Sequence, residues 1–190
     1  MVSLDAGSSR SACSNTTRRM TLPPVIPLEA MPGADSAEKW KVYLERIYEI
    51  FCRDVANAQL RFRGLAVRCR YHEPYKGKHA SFWHLMSDGK VEAGRTPDPD
   101  RCARIPWIAP VIHHADDTTY VRTWEHERVT TRGRKTRIPL WLFQHDYAVI
   151  LEPRDNYCLL ITTYCVRSGQ KLKFEKEWQA WNAQKSRGRV

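Results

Sequence analysis

The chain has 190 residues, 42% of them apolar, which is enough for one globular domain with a buried core. Its 31 Lys and Arg against 21 Asp and Glu give a formal net charge of +10, which favours anionic partners such as nucleic acid, an acidic protein or anionic lipid. No apolar stretch approaches the roughly 20 residues that span a bilayer, and the N-terminus lacks the apolar core of a signal peptide. We therefore expect a soluble, cytoplasmic protein that does not bind membranes.

The six cysteines are scattered and form no CxxC pair. This spacing argues against a zinc knuckle and against a dense disulfide framework. We expect reduced, mostly buried thiols, with neither a metal site nor a cofactor.

Residues 1–34 are rich in Ser, Thr, Pro and Gly and lack any sustained period, which predicts a flexible tail. Asp35 followed by Glu38 resembles a capping box. Apolar residues then recur at helical spacing through about residue 57, so an amphipathic helix is predicted there. Its stripe consists of Trp40, Leu44, Ile47, Phe51 and Val55.

The period then changes to two, which predicts a strand over 61–71 with one buried and one basic face. "HEPYKGKH" is a loop by its Pro and Gly, and "SFWHLMS" is predicted to be a short strand. Asp98 is placed to cap a short helix with Pro99 at its first position. Pro106 and Pro110 should divide the segment that follows.

The last third predicts antiparallel strands over 120–130, 136–144, 147–152 and 157–166, then a closing helix over 172–181. The expected fold is α+β, with an N-terminal helix packed on a curled antiparallel β-sheet, a short inserted helix and a C-terminal helix. This single domain would span 35–182, followed by a basic tail over 183–190. The residues expected in its core are Leu44, Ile47, Phe51, Val67, Trp141, Ile150 and Leu160.

Several stretches together resemble phage- and toxin-associated proteins of the barnase, EndoU, colicin and RelE ribonuclease superfamily, over about residues 36–180. They are "RFRGLAVRCR", "GKHASFWHL", "PDRCARIPWIAPVI", "TWEHER" and "PLWLFQHDYAVILEPRDNYCLLITTYCV". The resemblance implies a toxin or phage effector that cleaves RNA without a metal, by attack of a ribose 2′-hydroxyl on the adjacent phosphate. It also implies an acidic antitoxin or immunity protein as a partner. Such cleavage requires a base, an acid and cations around the phosphorane.

His84 is the first candidate for the acid or base, because imidazole titrates near neutral pH. The alternative is a strand-end histidine capped by backbone. His79, a second catalytic candidate, lies with Lys76 and Lys78 in a loop where Gly77 allows close backbone approach to a phosphate. A solvated basic loop would look the same in sequence.

On the predicted strand over 120–130, period two places Arg122, Trp124, His126 and Arg128 on one face. Such a face suits phosphate binding with base stacking, and it makes His126 and Arg128 catalytic candidates. The alternative is an ordinary solvated face.

Arg101 and Arg104 lie three residues apart on the short helix and can bind an anion together, although structural salt bridging explains them equally well. By the resemblance, Thr163 and Tyr164 on the last strand donate hydroxyl hydrogen bonds to phosphate, Thr163 as part of the catalytic set. Arg137 is a further nucleic-acid contact that can meet Thr163 across the sheet, in a register that the sequence leaves open.

Three classes of function are compatible with these patterns. The first is the metal-independent endoribonuclease, and the second is a non-catalytic nucleic-acid-binding protein on the same scaffold. The third is a basic interaction protein that docks an acidic protein. Salt-dependent RNA affinity would separate the first two from the third, and cleavage products would separate the first from the second.

Overall fold

The computed structural model describes residues 19–30, 33, 35–70, 73–89, 95–130 and 133–188. The helices in this part are α1 (Ser36–Phe51), α2 (Ala80–Met86), α3 (Pro99–Ala103), α4 (Ile108–His113) and α5 (Ser168–Arg187). The strands are β1 (Arg61–Phe62), β2 (Leu65–Cys69), β3 (Ser87–Asp88), β4 (Thr96–Pro97), β5 (Val121–Thr123), β6 (His126–Thr130), β7 (Gly133–Leu142), β8 (Tyr147–Pro153) and β9 (Tyr157–Cys165). None of the helices in the described ranges combines the length and apolar character needed to cross a membrane.

One curled sheet organises the fold, and its strands are neighbours in the order β1, β2, β9, β8, β7, β5, with β6 also paired to β7. The predicted α+β class is confirmed. The sheet is mixed rather than wholly antiparallel, because β2 runs parallel to β9 while the remaining pairs are antiparallel. A strand near the start of the domain thus lies beside the last one.

Helix α1 begins where its capping residue predicts. The Asp35 carboxylate accepts hydrogen bonds from the backbone N–H groups of Ala37 and Glu38, both at 2.9 Å, which satisfies donors that a helix start leaves free. Ile47 and Phe51 are fully buried, and the helix continues as a π-helical turn over Cys52–Ala56. The predicted amphipathic helix is confirmed.

The sheet has two differently covered faces. One packs in a core with the apolar stripe of α1 and with α2 to α4. The other carries Trp141 and Ile150, and the buried Phe174 of α5 packs against it. Of the seven predicted core residues all are buried except Leu44, which is half-buried.

The stretch "SFWHLMS" is helical, so the predicted short strand is wrong. Phe82, Leu85 and Met86 are all buried, and their i, i+3, i+4 spacing is that of one helix face. His84 therefore stands on α2 and not at a strand end.

The predicted strand over 120–130 divides into β5 and β6. Strand β5 pairs with Leu140–Leu142 and β6 with the start of β7. Trp124 lies between the two strands with only 1% of its surface exposed. The expectation of an open indole for base stacking is therefore wrong.

The predicted tail over 1–34 includes 1–18, 31, 32 and 34, which lie outside the described residues. The part over 20–28 packs against the domain: the Tyr43 hydroxyl donates to the Ile26 carbonyl at 2.8 Å, and Trp107 Nε1 donates to the Pro23 carbonyl at 2.8 Å. The prediction of a flexible tail is thus wrong for residues 20–28. At the other end α5 runs through Arg187, past the predicted start of a basic tail at residue 183.

Candidate nucleic-acid interface

The strand register brings one side chain from each of five strands into a single row. Arg68 lies opposite Leu159, Leu159 opposite Glu152, and Arg137 opposite His126. The β7–β8 ladder, continued one step beyond Ile138 and Leu151, sets Arg137 beside Glu152. Residues directly opposite each other on neighbouring strands point to the same face of the sheet. The row runs in the order Arg68, Leu159, Glu152, Arg137, His126.

Glu152 is the centre of this row. It is only 3% exposed, and its carboxylate forms ion pairs with Arg137 and Arg154, while Lys135 Nζ lies 3.5 Å away. A buried carboxylate requires such partners, because desolvation of an unpaired charge is costly. Three cations around one anion leave a local surplus of positive charge.

More cations surround this centre. Arg128 lies opposite Lys135 in the adjacent row. Burial lowers the pKa of Arg137 from its usual value, and three neighbouring guanidinium groups lower it further: Arg128, Arg154 and Arg70. Concentrated like charge on a partly desolvated surface creates a strong potential for anions. We call the group Arg70, Arg128, Lys135, Arg137, Glu152 and Arg154, together with His126, the basic cluster.

His126 stands beside Arg137 at the end of the row. Its Nδ1 is buried and has no hydrogen-bond partner among the described residues. Burial is the largest cause that lowers the pKa of the imidazole below its usual 6.5; Glu177 opposes the shift, and nearby cations, among them Lys173, add to it. At neutral pH the ring is therefore neutral and able to accept a proton.

Tyr164 lies near the cluster on the same side of the sheet. Burial, with a smaller contribution from Glu177, raises the pKa of its phenol to about 12, and Arg128 acts in the opposite direction. The phenol is protonated at neutral pH, so it can donate a hydrogen bond to an anion.

Helix α5 forms one border of the basic cluster. The ring of Phe174 lies 4.9 Å from that of Trp124, whose Nε1 donates to Glu177 at 3.2 Å. Arg122 forms an ion pair with Glu175 and lies over the ring of Trp178 at 4.4 Å. Arg122 and Trp124 therefore hold α5 on the sheet, and the indole of Trp124, only 1% exposed, is not open to stack on a base.

Thr163 lies on the other face of the sheet. It pairs with Val149 in the main core, is completely buried, and donates to the Leu85 carbonyl at 3.5 Å. It does not meet Arg137, which forms its ion pair with Glu152 on the opposite face. The expectation that Thr163 contacts phosphate is wrong.

Arg101 and Arg104 form structural salt bridges. Arg101 donates to the Ser87 carbonyl at 2.7 Å and to Asp88 at 3.0 Å, and Arg104 pairs with Asp100 at 2.7 Å. Of the two readings that the sequence left open for these arginines, the salt bridges fit the one in which they are structural, and the Asp98 carboxylate caps the start of α3.

The predicted basic loop is also mostly structural. Lys78 is 7% exposed, with Nζ 2.7 Å from both carboxylate oxygens of Glu45 and 4.4 Å from the centre of the Tyr48 ring. Lys76 is exposed and lies over Tyr75. His79 is exposed at the start of α2 and lines a groove of about 490 Å³ that also includes Arg68 and Arg70.

His84 lies apart from the row, in a cleft of about 150 Å³ between α2 and β9 that Arg70 also lines. The structure thus brings His126, Arg128 and Arg137 together, with Tyr164 nearby, and leaves the other candidates elsewhere. Four members of the basic cluster were missed by the sequence reasoning: Arg70, Lys135, Glu152 and Arg154. A signal for one of them existed, because Glu152 is the only charged residue in the strand "YAVILEP".

No three His, Cys, Asp or Glu side chains in the described ranges gather closely enough to hold a metal ion. Comparisons with protein-family models, with curated proteins and with solved structures found no match. Among the described residues, the basic cluster is therefore the feature from which a function is inferred.

Proposed function

We propose that the chain is an endoribonuclease of the toxin or effector kind, which cleaves RNA without a metal ion at the basic cluster. The observation that supports this most is the row in which Glu152, Arg137 and His126 stand side by side on one sheet face. It combines a neutral imidazole with guanidinium groups, the pairing that phosphoryl transfer requires.

The cations bind the phosphate and stabilise the transition state. Arg137, Arg154 and Lys135 surround the Glu152 carboxylate, and an arginine presents donors in a planar fork that fits phosphate oxygens. As the 2′-oxygen adds to phosphorus, negative charge accumulates on these oxygens, and preorganised cations stabilise that charge more than they stabilise the substrate.

His126 acts as the general base. Its neutral ring accepts the proton of the 2′-hydroxyl while the 2′-oxygen forms a bond to phosphorus. The bond between phosphorus and the 5′-oxygen breaks, and the 5′-oxygen takes a proton from solvent. The products are a 2′,3′-cyclic phosphate and a 5′-hydroxyl, with no change in oxidation state.

Glu152 serves as a positioning residue. Because its carboxylate engages both Arg137 and Arg154, it fixes their guanidinium groups at one place on the sheet. A phosphate that arrives there meets donors that are already oriented, which lowers the reorganisation required during the reaction.

The test is incubation of the purified protein with RNA in EDTA, followed by analysis of the fragment ends. We expect cyclic phosphate and 5′-hydroxyl ends, and a rate for His126→Ala that is lower by about 10²- to 10⁴-fold. His113→Ala is the matched control, since it removes an exposed imidazole from the end of α4. Equal rates for His126→Ala and wild type would refute the assignment.

Arg128→Ala separates binding from chemistry. Removal of one phosphate contact should weaken RNA affinity and reduce the dependence of log affinity on log salt by a slope of about 1. Salt-sensitive binding without cleavage would favour the non-catalytic nucleic-acid-binding protein. If the purified protein binds no RNA but does bind an acidic protein, the basic interaction protein would be the favoured function.

A further inference from the structure

The cleft between α2 and β9 is distinct from the row of charged residues. Its apolar wall consists of Leu85, Leu160 and Ile161, and its polar side of Arg70, Ser81 and His84. At about 150 Å³ it is smaller than the roughly 300–1,000 Å³ typical of sites for drug-sized ligands. It is therefore suited to one ring system and not to a whole nucleotide.

Arg70 connects this cleft with the basic cluster. It lines the cleft, and its charge acts on Arg137 in the row. The Ser81 hydroxyl donates to the Arg70 carbonyl at 2.6 Å, which ties the backbone after β2 to α2. A ligand with one part in the cleft and one part at the cluster would pass Arg70.

We propose that this cleft binds a single nucleobase of the RNA, adjacent to the phosphate that is cleaved. The inference rests on the proposed function. Single-stranded RNA is recognised through bases that leave their stack, so that the base face contacts apolar side chains and the base edge forms hydrogen bonds. The aliphatic wall offers the first contact, Ser81 and His84 offer the second, and Arg70 meets the backbone phosphate beside the base.

The neighbouring groove is a weaker candidate for the same role. It is larger, at about 490 Å³, and more open, and it lies along β2, where Arg61 and Arg68 line it together with Arg70. It fits the backbone of the strand better than a base. The base-sized cleft and this basic groove share Arg70. His79 lines the groove but not the cleft.

The experiment measures kcat/KM on short RNAs that differ in one base on either side of the cleaved bond. Wild type should prefer one class of base at one of these positions. His84→Ala removes a polar contact and Ala80→Leu fills the cleft, so either change should lower kcat/KM on the preferred substrate by roughly 5- to 150-fold. Cleavage of the other substrates should change little, since the basic cluster is untouched.

His113→Ala is the control, because it removes an exposed imidazole from the end of α4 and leaves both the cleft and the groove intact. A melting curve for each variant identifies any that fail to fold, and the two cleft variants are independent of each other. If wild type cleaves RNA and both folded variants keep its full preference, the nucleobase site is refuted while the ribonuclease function stands.

A binding measurement covers the case in which no cleavage is found, which would refute the proposed function itself. The affinity of wild type and of Ala80→Leu is then measured for an oligonucleotide and for the same oligonucleotide with one abasic position. Loss of affinity at one abasic position in wild type only would support the nucleobase site. Equal losses in both proteins would overturn it.

Discussion

Substitution of Glu152 by glutamine removes the charge at the centre of the basic cluster while it keeps the size of the side chain. The cations that surround the carboxylate then repel one another without a counter-charge. We expect Glu152→Gln to be strongly destabilising for this reason, even though glutamine still accepts hydrogen bonds.

The solvent exposure of each surrounding cation determines how much free energy of unfolding the Glu152→Gln substitution loses. Removal of one partner of a buried ion pair typically costs about 3–5 kcal/mol, because an uncompensated charge stays behind. The side chain of Arg137 is 11% exposed, whereas those of Lys135 and Arg154 are 28% and 36% exposed and can turn toward water. We therefore expect a loss at the lower end of that range, about 3 kcal/mol.

Thermal and urea unfolding measure this loss. A domain of this size loses about 2–4 °C in Tm for each kcal/mol, so the melting temperature should fall by roughly 6–12 °C. Inorganic phosphate, which can replace the missing negative charge, should stabilise Glu152→Gln more than wild type. Arg154→Gln is the control, since it removes a partly exposed cation from an overcharged site and should change stability by about 1 kcal/mol or less. A melting point for Glu152→Gln equal to that of wild type would show that the cations do not depend on this carboxylate.

Three further predictions follow from the same contacts. If His126 is the base, a pH–rate profile should show kcat/KM level from pH 8 downward and falling only below about pH 6.5, because the lowered pKa keeps the ring neutral above that point. A fall in kcat/KM that begins above pH 7 would contradict this. Trp124→Ala should cost about 3–5 kcal/mol in urea unfolding because the indole is fully buried, and a loss below 1 kcal/mol would show that α5 is loosely held. Removal of residues 1–19 should leave Tm unchanged, whereas removal of residues 1–27 also deletes the buried Met20 and should lower Tm. Equal melting points for the two truncated proteins would place residues 20–27 outside the core.

The parts of the fold that depend on local pattern were predictable from sequence. The Asp35 cap and the apolar stripe of α1 act over one or two helical turns, and Asp98 with Pro99 specifies the start of α3 in the same way. The segment "SFWHLMS" was misassigned because so short a stretch fits either period. Its i, i+3, i+4 group of Phe82, Leu85 and Met86 decides for a helix once the packing is known.

The site was harder to predict because it depends on register between distant segments. Strand β2 lies parallel to β9, which places Arg68 opposite Leu159 and, one strand further, in line with Glu152. Nothing local specifies such a pairing, and a slip of one residue would send every side chain of a strand to the opposite face. For that reason the sequence left open whether Thr163 meets Arg137 across the sheet, and the structure places the two on opposite faces.

The position of α5 explains why residues that alternate with period two, and so share one face of the sheet, differ in whether they pack in the core. Arg122, Trp124 and His126 all lie on the side of the sheet toward α5, where Glu175 and Glu177 engage the first two. Phe174 covers the apolar end of this face, and the helix borders the charged end, where Glu177 acts on His126 only through its field. Period two therefore predicts which residues share a face, whereas the covering helix decides which of them pack in the core. Under the proposed function, the part of the face beyond α5 is where the RNA phosphate binds.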